Sequence, residues 1–176
     1  MTKIKTTKEM EEGLAFIFDI VFPLGGTAAV EHQALCTAIT TRLNVYFKRS
    51  KRFAQKRAYQ ETRTDDSQKG YIVPDVIVRE ESDKECFLMI EVCRSGNYEE
   101  EFGKLEEYLE RKELSCKELF VVEYDQKPSV WHRKQFDFDK GEFSEIENTS
   151  HSTSIDFELG KCEEWFSAPI IKTEQQ

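Results

Sequence analysis

Asp75 and Glu91 are carboxylates set inside apolar segments. Asp75 opens the run Pro74-Asp75-Val76-Ile77-Val78, and Glu91 lies within Cys86-Phe87-Leu88-Met89-Ile90-Glu91-Val92. A buried carboxylate is costly unless it is paired, hydrogen-bonded or bound to a cation. Two of them on neighbouring strands offer hard oxygen ligands suited to Mg2+ or Mn2+, with the main-chain carbonyl of Val92 or Cys93 completing the protein ligands. An ion held there can orient a phosphodiester and lower the pKa of a bound water. The residues point to a divalent-metal site, and such an ion would suit chemistry on a phosphodiester.

The elements that must position these groups show in the hydrophobic periodicity. Val30, Ala34, Ala38 and Val45, with Leu35, Ile39, Leu43 and Tyr46, recur at three- and four-residue spacing and predict a helix over 27–49 with a basic last turn. Residues 53–63 and 71–79 read as strands. Pro74 inside the second donates no ladder hydrogen bond, which demands an edge, a bulge or a bend. A charged turn over 80–85 then makes a hairpin with the strand that starts at Cys86. Side chains alternate along a strand, so Phe87, Met89, Glu91 and Cys93 are expected on one face, with Asp75 across from Glu91. Tyr98, Phe102, Leu105 and Leu109 form the apolar stripe of a helix over 98–114, with Lys104 beside the stripe. Strands follow at 117–125 and 129–137, separated by a turn at Gln126-Lys127-Pro128. Lys140-Gly141 is a turn, 155–159 a short strand and 162–166 a short helical end. Residues 13–22 read as a short helix before a break at Pro23-Leu24-Gly25-Gly26. With no repeat or linker, 1–176 reads as a single domain with a polar arm over about 1–12 and a frayed tail over about 168–176.

Composition narrows the class. No apolar run approaches the roughly 20 residues that span a bilayer, and no basic n-region precedes the apolar 14–24 stretch, so a soluble, cytoplasmic protein is expected. Five cysteines without a C-x-x-C pair read as reduced thiols, not as a disulfide framework or zinc site. The histidines, His32, His132 and His151, are scattered and make no metal motif. The net charge of −9 opposes general attraction to nucleic acid. Residues 43–60, however, contain no acid and carry Lys48, Arg49, Lys51, Arg52, Lys56 and Arg57, a patch that fits phosphate contacts or simply a solvated helix end.

Pro74-Asp75, the hairpin turn and Glu91-x-Cys93 resemble the motif of the PD-(D/E)XK nucleases, the restriction-endonuclease-like superfamily, and within it most closely the Uma family. The resemblance covers most of the chain: Glu31-His32 at the start of the first long helix, Pro74-Asp75-Val76-Ile77-Val78, Ile90-Glu91-Val92, Lys104-Leu105-x-x-Tyr108 and the strand over 119–125. It implies an α/β (mixed α+β) fold, a restriction-endonuclease-like core whose central mixed β-sheet is flanked by helices. The activity implied is Mg- or Mn-dependent endonuclease cleavage of nucleic acid, DNA favoured, often by a homodimer. Asp75, Glu91 and the Val92 carbonyl would hold the ion. Lysine usually follows the glutamate by two residues and places the attacking water, but Cys93 stands there. In the Uma-like pattern that lysine migrates to the next helix, where Lys104 stands. Glu31 is implied as a third acid near the ion, or else complements its helix dipole. The rival expectation is a catalytically degraded nuclease-fold module that binds protein or nucleic acid.

Overall fold

The structure, a computed structural model, describes residues 28–60, 73–80 and 85–162. Within these, helix α1 (Ala28–Arg49) leads into strand β1 (Lys56–Gln60), and β2 (Val76–Glu80) and β3 (Glu85–Cys93) follow. Helix α2 (Tyr98–Lys112) then connects to β4 (Ser115–Glu123) and β5 (Val130–Asp137). Four two-residue strands close the described part: β6 (Glu142–Phe143), β7 (Glu147–Asn148), β8 (His151–Ser152) and β9 (Phe157–Glu158). The main sheet runs β1-β2-β3-β4-β5-β6, with β7 also on β5, and β8 pairs with β9. β3 and β4 are parallel, joined through α2, and the neighbouring pairs are antiparallel, so the sheet is mixed.

Two apolar clusters hold helices to opposite faces of this sheet. Leu35, Ile39, Leu43 and Phe47 of α1 meet Val76, Val78, Leu88, Ile90, Val92, Phe120 and Val122 on one face. Phe102, Leu105, Tyr108 and Leu109 of α2 meet Ile77, Met89, Cys93, Leu119 and Val121 on the other. β3 and β4 are covered on both sides, and their near-continuous apolar sequence follows from that. Phe47, Phe102 and Phe120 are among the largest fully buried side chains, each worth about 1.5–3 kcal/mol from apolar area removed from water. The outer edge of β1 is closed by α1: the Asn44 amide donates to the Ala58 carbonyl at 2.8 Å and accepts from its N–H at 2.9 Å. α2 stops at Lys112 because Glu113 turns left-handed (φ 52°) and its N–H returns to the Leu109 and Glu110 carbonyls.

Several sequence expectations shift. Residues 61–63 and 71–72 of the two expected strands lie outside the described residues. Within the described part the second begins at Val76, with Asp75 in a bend before it, and the first runs over Lys56–Gln60, with 53–55 in a turn. The face assignment around Glu91 is corrected by a bulge. Val78 pairs with Leu88 but Arg79 with Cys86, leaving Phe87 as the extra residue. Phe87 therefore packs against the α1-side cluster, whereas Met89 and Cys93 face α2. Leu159 and Ile155 pack on the α1 side, but the short strand there is only Phe157–Glu158. The polar arm, the helix over 13–22, the loop over 64–70 and the C-terminal tail lie outside the described residues. No helix among the described residues is long and apolar enough to cross a membrane.

One buried charge fastens the C-terminal segment to the sheet. The Glu118 side chain of β4 is fully buried. It accepts the Thr153 N–H and hydroxyl at 2.9 and 2.8 Å, the Ser154 N–H and hydroxyl at 3.1 and 2.6 Å, and the Ser152 hydroxyl, with Arg133 Nη1 at 3.4 Å. Burial pushes the Glu118 carboxyl up, but the Ser152, Ser154 and Thr153 donors outweigh it and hold it below the ordinary carboxylate range. A depressed folded value makes its stabilisation complete above the unfolded carboxyl's pKa of about 4.3. That stabilisation is lost as pH falls through the folded value. Glu118→Gln turns amide hydrogens towards a nest of donors. It should cost about 3 kcal/mol in urea unfolding at pH 7 and flatten the acid limb of the Tm–pH curve. A variant that keeps wild-type stability and the wild-type acid limb would remove this role.

Candidate metal centre

Asp75 and Glu91 meet at the mouth of β3. Extending the antiparallel register beyond the Val76–Ile90 pair sets Asp75 opposite Glu91. The contact is direct: the Asp75 N–H donates to Glu91 Oε2 at 3.2 Å, while Asp75 Oδ2 accepts the Val92 N–H at 2.8 Å. The same Oδ2 lies 3.0 Å from His32 Nε2 of α1. Because Asp75 sits in a bend ahead of β2, its carboxylate is free of strict alternation and reaches both β3 and α1. The site lies at the C-terminal ends of the parallel pair β3 and β4, where α2 begins, the end at which sheets of this kind tend to bind ligands.

The two candidate carbonyl ligands separate clearly. A strand residue turns its N–H and C=O towards the same neighbour. The Val92 N–H points to Asp75, so its carbonyl turns to that side as well. The Cys93 carbonyl faces the other way and accepts the Tyr124 N–H at 3.1 Å. Of the pair, Val92 is the residue placed to add a main-chain oxygen beside Asp75 and Glu91. Two carboxylates and a carbonyl fit a hard divalent ion.

Cys93 is buried on the α2 side, and its thiol is pushed up to about 12, first by burial and then by Glu101, Glu123, Glu91 and Asp125. It is a protonated thiol at neutral pH and not an activated nucleophile. The lysine position of the resembled motif therefore lies among four carboxylates. Lys104 pairs with Glu100 and Glu101, each at 2.9 Å, and those contacts hold it above the ordinary lysine range. Glu101 thus links Lys104 to the surroundings of Cys93. Glu31 is exposed on the first turn of α1, close enough to act on Arg94, whose strongest partner is the Tyr124 hydroxyl.

The basic segment divides. Lys48, Arg49, Lys51 and Arg52 are exposed. Lys56 is not available as a phosphate contact: it is 5% exposed, pairs with Glu80 at 3.0 Å and lies over the Phe87 ring. Arg57 donates to the Ala54 and Lys56 carbonyls at 2.7 Å. The register pairs Lys56 with Glu80 and Gln60 with Val76, so the basic end of β1 lies at the far end of β2 from Asp75. That separation is roughly 17 Å at strand rise.

Two groups escaped the sequence reading. His32 and Cys36, set aside as a scattered histidine and a buried thiol, lie one helical turn apart on the same face of α1 and both approach Asp75. The usable signal was the His-x-x-x-Cys spacing. Burial, then Asp75 and Glu91, push the Cys36 thiol up strongly. The second group is Glu123 with His132. Glu123 Oε2 is 3.1 Å from His132 Nε2 and accepts from Gln126 at 2.6 Å, and its Oε1 accepts the Gly96 N–H at 2.5 Å. The His132 ring stacks on Tyr98 at 4.0 Å between centroids and contacts Asn148 at 2.9 Å. Both ring nitrogens have partners, so the pair reads as a tie between β4, β5 and the start of α2. No sequence spacing announces it.

The chain matches no protein-family model and no curated protein.

Asp75 also has a structural duty. Asp75→Ala strips the Val92 N–H of its acceptor and should lower unfolding free energy by about 1–3 kcal/mol, read from the urea midpoint at constant slope. Asp75→Asn keeps an acceptor oxygen and should lose less. An alanine variant as stable as wild type would contradict the Val92 bond.

Proposed function

We propose that the chain is a metal-dependent nuclease of the PD-(D/E)XK type, cutting phosphodiester bonds of nucleic acid with Mg2+ or Mn2+. The observation that carries this reading is the meeting of Asp75, Glu91 and Val92 across the β2–β3 pair. The succession of helix, two antiparallel strands to a third, helix and parallel strand also supports it, being the order that the resembled fold requires. Asp75 and Glu91 supply two carboxylates, and Val92 its carbonyl, to one divalent ion. Such an ion, when bound, supplies positive charge for the scissile phosphate and acidifies a water. Lys104, two turns into α2, is the cation of the site, turning from Glu100 and Glu101 towards the substrate phosphate. Exposed Lys48, Arg49, Lys51 and Arg52 contact the nucleic-acid backbone beyond the cut. DNA is the favoured substrate and a homodimer the assembly that reaches two strands.

A second reading, a nuclease fold kept for binding alone, is favoured by one observation. Cys93 is a neutral thiol where the resembled motif has its cation.

The two separate on labelled single- and double-stranded DNA and RNA assayed with Mg2+, Mn2+ or chelator. Asp75→Asn and Glu91→Gln should each lower cleavage at least about 1000-fold, and Lys104→Ala should lower it about 10–1000-fold while leaving Mn2+ affinity unchanged. Cys93→Lys places an ammonium among Glu101, Glu123, Glu91 and Asp125 and should restore rate to the Lys104→Ala variant. Cleavage that persists at the wild-type rate in Asp75→Asn would overturn the nuclease assignment. Wild-type protein that binds Mn2+ and cuts none of these substrates would establish the binding module.

A further inference from the structure

We infer that His32, Cys36 and Asp75 form a binding site for a borderline transition-metal ion of the Zn2+ or Co2+ kind, distinct in donor chemistry from the all-oxygen set of Asp75, Glu91 and Val92. One ligand atom from each of the three residues lies within 4.8 Å of the others. His32 Nε2 is 3.0 Å from Asp75 Oδ2 and 4.0 Å from Cys36 Sγ. Bond lengths of about 2.0–2.1 Å to nitrogen and oxygen and about 2.3 Å to sulfur set tetrahedral edges of roughly 3.3 Å between nitrogen and oxygen and roughly 3.6 Å between nitrogen and sulfur. The two His32 separations bracket those edges. The Asp75 oxygen and Cys36 sulfur, within 4.8 Å of each other, draw together by up to about 1 Å, within reach of side-chain rotation, to close the shell.

The sequence delivers this set simply. His32 and Cys36 are four residues apart on α1 and share a face, and Asp75 comes from the bend before β2. Three protein ligands leave one tetrahedral position for water or Glu91, the pattern of reactive zinc sites. Imidazole and thiolate select Zn2+ or Co2+ over Mg2+, which takes oxygen ligands alone. The His32 side chain is 31% exposed and gives the ion a route in from solvent, while Cys36 is 1% exposed and shields the sulfur behind it. Among the described residues no other group of His, Cys, Asp and Glu has this compactness. If the nuclease reading holds, the two donor sets share Asp75, and an ion on His32 and Cys36 withdraws that carboxylate from the Mg2+ set. Zn2+ would then inhibit Mg2+-dependent cleavage.

The site is tested on the full chain with the metal alone. Stoichiometric Co2+ should produce a near-ultraviolet sulfur-to-cobalt charge-transfer band that Zn2+ abolishes. Cys36→Ser should lose the band, His32→Gln should weaken Co2+ binding at least about tenfold, and Cys93→Ser should leave both unchanged. Absence of the band in wild-type protein, its persistence in Cys36→Ser, or its loss in Cys93→Ser would overturn the assignment. X-ray absorption at the zinc edge of the unmodified protein needs no variant to fold. One sulfur and one imidazole nitrogen in the shell are expected, and an all-oxygen shell overturns the site. Mn2+ affinity of Cys36→Ser, measured in parallel, reports on the Asp75 and Glu91 set alone. Its retention alongside a failed cobalt test would leave the nuclease reading standing.

Discussion

Asp75 is fixed from two sides, and the geometry of the site depends on that. Its carboxylate takes the Val92 N–H from β3 and the His32 ring from α1, while its own N–H reaches Glu91. A bend residue with a free side chain would sample many rotamers and hold no ion. Tied this way, it brings a strand end, a central strand and a helix to one point. The tie needs β2 and β3 in a single register, which the apolar cover on both faces enforces: a one-residue slip would drive Val76 and Val78 out of the α1-side cluster and Ile77 out of the other.

Several carboxylates at that end of the sheet are held by hydrogen bonds more than by opposite charge. Glu101 and Glu100 hold Lys104, Glu123 holds His132, the Gly96 N–H and Gln126, and Asp125 takes the Ser95 N–H and hydroxyl at 2.7 and 3.2 Å. Gly96, at φ +89°, lets the loop after β3 turn its amide onto Glu123. The carboxylates near Cys93 therefore carry partners, yet together they still raise that thiol. A cation brought to this end meets a field already negative, whether it is a metal ion, Lys104 or a lysine at position 93. The acidic overall charge of −9 is thus compatible with a phosphate-directed site only through such a cation, since bare phosphate would be repelled.

The sequence revealed α1, β3, α2, β4 and β5 because each is long and has one dominant period. It also revealed Asp75 and Glu91, since a carboxylate inside an apolar run stands out against its neighbours. The orientation of Phe87 was hidden because a single extra residue on β3 reverses a face without altering composition. Lys56 counted as a phosphate contact because charge alone cannot show that Glu80 sits opposite it across the β1–β2 register. β6, β7 and β8 are two residues each, too short for any alternation to register. His32 and Cys36 were readable as a four-residue helical spacing. The link from His32 to Asp75 spans 43 residues in the chain, and the three side chains come together only once α1 packs over the end of the sheet.

The most direct measurement is an anomalous difference map from a crystal soaked in Mn2+. A peak should lie about 2–2.6 Å from carboxylate oxygens of both Asp75 and Glu91, on the side to which the Val92 carbonyl turns. A well-occupied Mn2+ elsewhere in the chain with no density between Asp75 and Glu91, or carboxylates that part to opposite faces of the sheet, would contradict the metal centre and the nuclease reading with it.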